Sequence, residues 1–254
     1  MILNRKPIQN LLVLVAMDAE ERAVTELFSN FQPFDISAKL GIAGKQLKTQ
    51  NLKIALVNSG IGQVNAGLAT ALAAEACSAD AILLLGVAGA LSEELEIGQT
   101  ILASSIVQHD SYFSGEEGDE LMAPGFPFVS VPPERRKAPI FETDLSFQNW
   151  LESAHLGLRK GVLLSGSEFV GNFDRKKTIS SKVKGSLAVE MEAAAVALVA
   201  NKLQIPFAVV KTIADRLNPD GTISSDYNQF LKSAADSAAQ VISLIVESAR
   251  NENL

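Results

Sequence analysis

Four carboxylates in this chain stand where buried strands should end, and they are the residues through which it could do chemistry. Glu190 and Glu192 close the run SLAVEME, in which Leu187, Val189 and Met191 alternate with Ala188, Glu190 and Glu192. That period of two predicts a strand with both acids on one face. Ala193 to Leu203 is rich in Ala, Val and Leu without a breaker and predicts a buried helix, which Pro206 then punctuates. The β-branched run from Phe207 to Ile213 follows and delivers Asp215. Strand, helix and strand in this order predict a crossover between parallel strands, which brings Glu192 and Asp215 to one carboxyl edge of the sheet, where open α/β sheets hold ligands. Glu20 follows the apolar run LLVLVA and belongs to the same edge. It also stands in the first turn of an amphipathic helix predicted from Asp18 to Phe28, where an acid is favourable in its own right. Carboxylates gathered in an apolar crevice suit the transfer of protons to and from a substrate.

The elements that must position these groups read as alternating strands and helices. Residues 39 to 57 predict a hairpin-like pair with Gly41 and Gly44 at turns or bulges. NSGIGQVNAG then turns into an Ala-rich helix ending near Ala76; a dinucleotide fingerprint would want glycine where Asn65 stands, so the motif reads as a tight strand-to-helix turn with close packing at Gly67. Ala81 to Leu85 predicts a buried strand running into the glycine turn GVAGAL, and Ile97 to Val107 a bent strand or strand pair. A helix from Asp144 to Leu158, a strand over GVLLSG and a last helix from Asp226 to about Arg250 complete the pattern. The strand at 161 to 166 leads into Ser167-Glu168-Phe169-Val170, which places an aromatic at one more strand end.

With 254 residues, 47% of them hydrophobic and 20% charged, the chain can bury a large core, and it reads as a single domain, 1–254, with residues 1–10 as a lead-in. Residues 108–139 break the pattern with five prolines and the aromatics Phe113, Phe126 and Phe128, which predicts a flap or dimer-contact segment. His109 begins that segment and is a second-rank site candidate. The formal net charge of -7 without a long basic run argues against nucleic acid as a partner. One cysteine, Cys77, and two histidines cannot build a disulfide framework or a zinc site, so no metal or other cofactor is expected. The first apolar run is too short for a signal-peptide core, and no window approaches a membrane span; the expectation is a soluble, cytoplasmic protein.

Taken together, AMDAE, NSGIGQVNA, GVAGAL, QHD, SGSEFV, VEMEAAAVA and VVKTIAD resemble, in this order and along almost the whole chain, the 5'-methylthioadenosine/S-adenosylhomocysteine nucleosidase family of the purine nucleoside phosphorylase-like superfamily. The resemblance implies a three-layer α/β/α domain around a central mixed, largely parallel sheet, usually a homodimer, that cleaves the N-glycosidic bond of an adenine nucleoside with water. Carried over residue by residue, it implies that Glu20 activates the water and that Asp215 is the acid at purine N7. Glu192 would bind the ribose hydroxyls with Met191 and Glu190 lining the sugar site, Phe169 would stack on the base, and the Val170 backbone would read its polar edge. Three positions depart from the family pattern: Val87 stands for a serine in the glycine turn, Lys211 for an arginine, and Ala214 for a Ser or Thr before Asp215.

The chemistry asks for such a set independently. Glycosidic cleavage passes through an oxocarbenium-like state, so the ribose needs nearby negative charge while the departing purine needs a proton, which burial beside other acids would help Asp215 to hold. Two alternatives stay open at this stage, a phosphorolytic enzyme of the same fold and a non-catalytic nucleoside-binding protein. Against the first, Glu20 would repel phosphate, and Val87 and Lys211 make a poor anion cradle. Against the second, a silent relative has no reason to keep carboxylates at three separate strand ends.

Overall fold

The structure, a computed structural model, describes residues 8–116, 118–122, 140–153, 158–216 and 227–251. The expected lead-in, apart from its last three residues, and the proline-rich part of the 108–139 segment from 123 onward lie outside them. No described helix is long and apolar enough to cross a membrane.

The strands are β1 (Asn10–Val15), β2 (Gln32–Ser37), β3 (Ile42–Lys48), β4 (Lys53–Asn58), β5 (Ala81–Ala90), β6 (Thr100–Gln108), β7 (Tyr112–Gly115), β8 (Gly118–Leu121), β9 (Ile140–Glu142), β10 (Arg159–Ser165), β11 (Ser186–Glu190) and β12 (Phe207–Asp215). The helices are α1 (Asp18–Leu27), α2 (Gln63–Ala76), α3 (Leu145–Ser153), α4 (Phe173–Lys182), α5 (Ala193–Leu203) and α6 (Tyr227–Asn251). Ten strands form one mixed sheet in the order β11-β10-β6-β12-β5-β1-β4-β3-β2, with β9 alongside β6, while β7 and β8 make a separate hairpin.

Small residues let helices cover both faces. Ala66, Ala69 and Ala73 of α2 and Ala193, Ala197 and Ala200 of α5 bury one face with Leu12, Leu14, Ile82 and Val209. On the other, Val24 of α1, Phe147 of α3 and Ala235, Ile242 and Val246 of α6 pack on Leu11, Val13, Leu83 and Val210. The result is the expected α/β fold in three layers around a mixed sheet. Alternate residues of β1 and β5 feed opposite cores, as the pleat requires.

One local expectation is overturned. β11 and β12 are not parallel neighbours joined by a crossover: β10 and β6 lie between them, and β12 runs antiparallel to β6, which runs parallel to β10 and β11. The carboxyl ends of β11 and β12 meet for a different reason. β5 is ten residues long and does not stop at Leu85 to turn; it continues through Gly86-Val87-Ala88-Gly89 as strand. There it pairs with β12 in parallel, Asp215 opposite Gly89, and with β11 in antiparallel, Val189 opposite Gly89. This second pairing closes β5, β12, β6, β10 and β11 into a ring, and both strand ends arrive at the same three residues of β5. The expected bent strand or strand pair at 97–107 is the single strand β6, and sequence reading passed over β2 and α4.

Candidate active site

A cavity of about 230 Å³ opens at this convergence, lined by Met17, Glu20, Ile61, Val87, Gly89, Glu168, Phe169, Val170, Glu190, Met191, Glu192 and Asp215 among others. Every expected site residue except Lys211 and His109 lines it.

Glu20 is set by the backbone. It is the third residue of α1 and reaches back to the helix start, where its Oε2 accepts from the N–H groups of Ala16 at 2.8 Å and Met17 at 3.0 Å. Oε1 accepts from Val87 N–H at 2.9 Å. A side chain on Gly86 would put its Cβ 2.5 Å from Oε1, so the glycine is what admits the carboxylate to the strand. The helix-cap reading and the site reading of Glu20 therefore describe the same atoms. Burial raises its pKa above the ordinary carboxylate value, against the pull of Lys211 and the three N–H groups.

Glu190 and Glu192 do converge, though by a turn rather than by the pleat: β11 ends at Glu190, and Glu192 is the residue that opens α5. Four N–H groups at the start of this helix find side-chain acceptors. Those of Glu192 and Ala193 donate to Glu190 at 3.0 to 3.1 Å, that of Ala194 to Ser165 Oγ at 3.0 Å, and that of Ala195 to Gln63 Oε1 at 2.8 Å. Gln63 Nε2 in turn donates to Ser165 Oγ at 2.8 Å. Strand β10, strand β11 and helix α2 are thus stitched to one helix end, and the turn Glu190-Met191-Glu192 is fixed between them. Glu192 Oε1 also accepts from Gly62 N–H at 2.9 Å, a contact that gives the NSGIG turn a role in the site. Gly62 has φ of 97°, a conformation that side-chain-bearing residues rarely adopt. At Gly67 the expected close packing does not require glycine: a Cβ there would meet Ala195 at an ordinary contact distance of 3.7 Å.

Lys211 is 1% exposed and lies behind the lining, with Nζ 3.1 Å from Glu190 Oε2 and 3.4 Å from Glu192 Oε2. Burial works against its charge, but Glu190, Glu192 and Glu20 outweigh that and raise its pKa. One ammonium faces three buried acids: burial first, then the neighbouring Glu190, raise Glu192 to about 7 in spite of Lys211.

Asp215 departs from expectation. Its partner is Lys176, fully buried on α4, whose Nζ donates to Asp215 Oδ1. A Cβ on Gly89 would lie 2.9 Å from both Asp215 oxygens and 3.0 Å from Lys176 Nζ, so this glycine makes room for the pair. Sequence reading missed Lys176. The available signal was its spacing of three from the buried Ile179 on a helix begun by the cap Asn172, whose Oδ1 accepts from Arg175 N–H at 3.0 Å.

Phe169 is 63% exposed at the cavity mouth, and Val170 is buried behind it. Glu168, next to them, accepts from Arg175 Nε at 2.8 Å and Nη2 at 2.6 Å. His109 is buried outside the lining, packed on Gly166, with Nδ1 3.7 Å from Glu168 Oε1 and neither ring nitrogen hydrogen-bonded; burial lowers its pKa. Val87 and Ala214 share one small apolar cluster with Ala234, Met17 and Leu231.

Comparison with known proteins agrees with this geometry. The family model described as the phosphorylase superfamily matches residues 10–248. The 5'-methylthioadenosine/S-adenosylhomocysteine nucleosidase of Staphylococcus epidermidis is 28% identical over 240 residues, covering 93% of this chain and 98% of the relative. Among solved structures, futalosine hydrolase of Helicobacter pylori has a TM-score of 0.80 and 30% identity, covering 95% of this chain and 98% of its own. The 5'-methylthioadenosine/S-adenosylhomocysteine nucleosidase of the same organism, complexed with a 4-amino-pyrrolo[3,2-d]pyrimidine compound, has a TM-score of 0.79 and 29% identity, covering 95% and 100%.

Proposed function

The chain belongs to the phosphorylase superfamily, and within it we propose that the protein is a hydrolase of the N-glycosidic bond of adenine nucleosides such as 5'-methylthioadenosine or S-adenosylhomocysteine, with water as the second substrate. The observation that carries this reading is the setting of Glu20. A phosphorylase must hold a dianion beside the ribose, which calls for unpaired cations and hydroxyls. Here the sugar side of the cavity carries Glu20, Glu190 and Glu192, and Lys211, the buried cation among them, is already paired to two of the three. Val87 contributes no hydroxyl.

In this reading the nucleoside lies with its purine between Phe169 and Asp215 and its ribose over Met191 and Glu192. As the bond from C1' to N9 lengthens, its electron pair moves into the purine and Asp215 delivers a proton to N7. The ribosyl cation forms next to carboxylates that stabilise it electrostatically. Water then adds to C1' and gives its proton to Glu20, whose pKa, raised by burial, makes it a stronger base than a solvated carboxylate. The products are free adenine and a ribose with a free anomeric hydroxyl.

The test is adenine release in phosphate-free buffer. The expected result is full activity, a free sugar product and no acceleration by added phosphate; strict phosphate dependence with a sugar 1-phosphate product overturns the reading. A second substrate reading, the same hydrolysis applied to futalosine, has support in the 30% identity to futalosine hydrolase, and a panel of both nucleosides separates the two by kcat/KM. A homodimer belongs to the same proposal. Its support is an apolar stripe on and before α2, Ile61, Val64 and Leu68 at 52%, 83% and 43% exposure, which begins at the cavity mouth. A fully active monomer by light scattering would refute it. A cytoplasmic location is proposed with it, in keeping with the single, buried, free Cys77.

A further inference from the structure

The proposed reaction needs a proton at purine N7, and the structure surrounds its donor, Asp215, in an unusual way. Asp215 is not grouped with Glu20, Glu190 and Glu192, whose shared cation is Lys211. It has a cation of its own. Lys176 reaches it from α4, a helix whose neighbouring basic residues face elsewhere: Arg175 binds Glu168 and Lys177 is exposed. Lys176 is 0% exposed, so its ammonium has given up its hydration and depends on Asp215 as its charge partner. The amine touches Oδ1 of Asp215, while Asp215 lines the cavity and Lys176 does not. Gly89 leaves space for the carboxylate and the amine together.

We propose that Lys176 is a positioning residue for the acid, holding Asp215 through Oδ1 and resupplying its proton, so that the Lys176–Asp215 pair and not Asp215 alone is the proton store for the departing purine. This rests on the reading of Asp215 as the leaving-group acid. The proton balance closes without a further reactant. The ammonium of Lys176 passes one proton to Asp215, Asp215 passes one to N7, and the bond from C1' to N9 breaks with its electrons retained by adenine. Water bonds to C1' and leaves its proton on Glu20, and solvent returns a proton to Lys176 and removes one from Glu20. At the end of the chemical step the pair is a carboxylate and a neutral amine, one negative charge more than at the start, and that charge is balanced by the proton gained at Glu20 until solvent resets both groups.

The experiment compares the pH profiles of kcat and kcat/KM for the wild type, Lys176→Met and Lys176→Gln with 5'-methylthioadenosine. Glu20 from α1, Glu168 from the loop after β10, Glu190 and Glu192 at the end of β11, and Lys211 and Asp215 from β12 are present in all three proteins, so a difference between profiles belongs to position 176. Without the amine, Asp215 must draw its proton from solution. The expected result is a variant within about tenfold of the wild type at pH 5.5 that falls to 10²-fold or more below it at pH 8.5, in kcat with little change in KM, on the scale of a general acid's contribution of roughly 10²- to 10⁴-fold. Lys176→Gln keeps a donor to Oδ1 but no transferable proton, and should follow Lys176→Met. Variant profiles parallel to the wild type, or failure of both variants to fold, overturn the inference and leave Lys176 a structural residue. Asp215→Asn, run alongside, separates the two levels: if it retains wild-type rate the functional reading itself fails, whereas if it is inactive while the Lys176 profiles run parallel, only the present inference fails.

Discussion

Replacing Lys211 by Met removes the one ammonium that Glu190 and Glu192 share and keeps the length of the side chain. Neither acid can turn away to water. Both oxygens of Glu190 also accept N–H groups at the start of α5, and Glu192 is held by Gly62. The folded protein can escape only by taking up one proton in place of the lost charge. Starting from the ordinary carboxylate value of 4.5, each pH unit above it costs about 1.4 kcal/mol. The penalty is then about 0.7 kcal/mol at pH 5 and about 5 kcal/mol at pH 8, the latter at the top of the roughly 3–5 kcal/mol seen when a buried pair loses one partner. The difference of about 4 kcal/mol corresponds to roughly 8–16 °C in Tm for a domain near this size. Urea unfolding of wild type and Lys211→Met at the two pH values, read by circular dichroism with equal m-values, measures it. A loss that is the same at pH 5 and pH 8 would refute the account of one ammonium serving several trapped carboxylates.

Other perturbations separate the roles. Asp215→Asn should fold and lose about 10²- to 10⁴-fold in adenine release, because the amide keeps a polar side chain but has no proton to deliver. Phe169→Ala, at an exposed position, should leave Tm unchanged and weaken adenine nucleoside binding by about 1–3 kcal/mol, the usual worth of base–aromatic stacking, seen as a rise in KM; an unchanged KM removes Phe169 from the base site. Gly86→Ala pushes a methyl group against Glu20 Oε1 and should depress kcat far more than Gly185→Ala, whose Cβ meets nothing within 4 Å. Burial lets folded Glu192 keep its proton up to about 7 whereas the unfolded chain releases it near 4.5, so the wild type should lose stability as pH rises through that window. Glu192→Gln should flatten that slope, and an unchanged slope assigns the proton to another group.

The uninterrupted apolar runs of β1, β5 and β12 and the Ala-rich helices were legible because buried elements of an α/β sheet need nothing but local periodicity and breakers. The order of strands was not. Whether the carboxyl ends of β11 and β12 meet depends on β5 continuing past Leu85, and the GVAGA segment reads as a turn because glycine usually marks one. In the folded chain those glycines serve a strand instead: Gly86 and Gly89 are the places where a Cβ would collide with Glu20 and Asp215. Two edges of the prediction failed for a similar reason. β2, with Pro33 and Asp35 in it, has the composition of a loop and is strand only by pairing with β3. Helix α4 is polar overall and is placed by a few buried contacts.

At the site, Glu20, Glu190, Glu192 and Asp215 were found because acids at the ends of apolar runs are conspicuous, whereas Lys176 was invisible because a lysine on a polar helix is ordinarily solvated. Two of the departures from the family pattern fall on β5 and β12, the strands that meet at its partner Asp215. Ala214 stands where a hydroxyl residue is common before Asp215, and Val87 where a serine is common in the glycine segment. Both pack in a single apolar cluster with Ala234. With no hydroxyl at 214 or 87, the Lys176 amine is the side-chain donor that the structure places on Asp215, in the space that Gly89 leaves open. Restoring serine at 214 in a Lys176→Met background is then the discriminating double substitution. If orientation were the whole contribution of Lys176, the hydroxyl would rescue the rate at every pH; if Lys176 also returns the proton, the rescue stops at acidic pH.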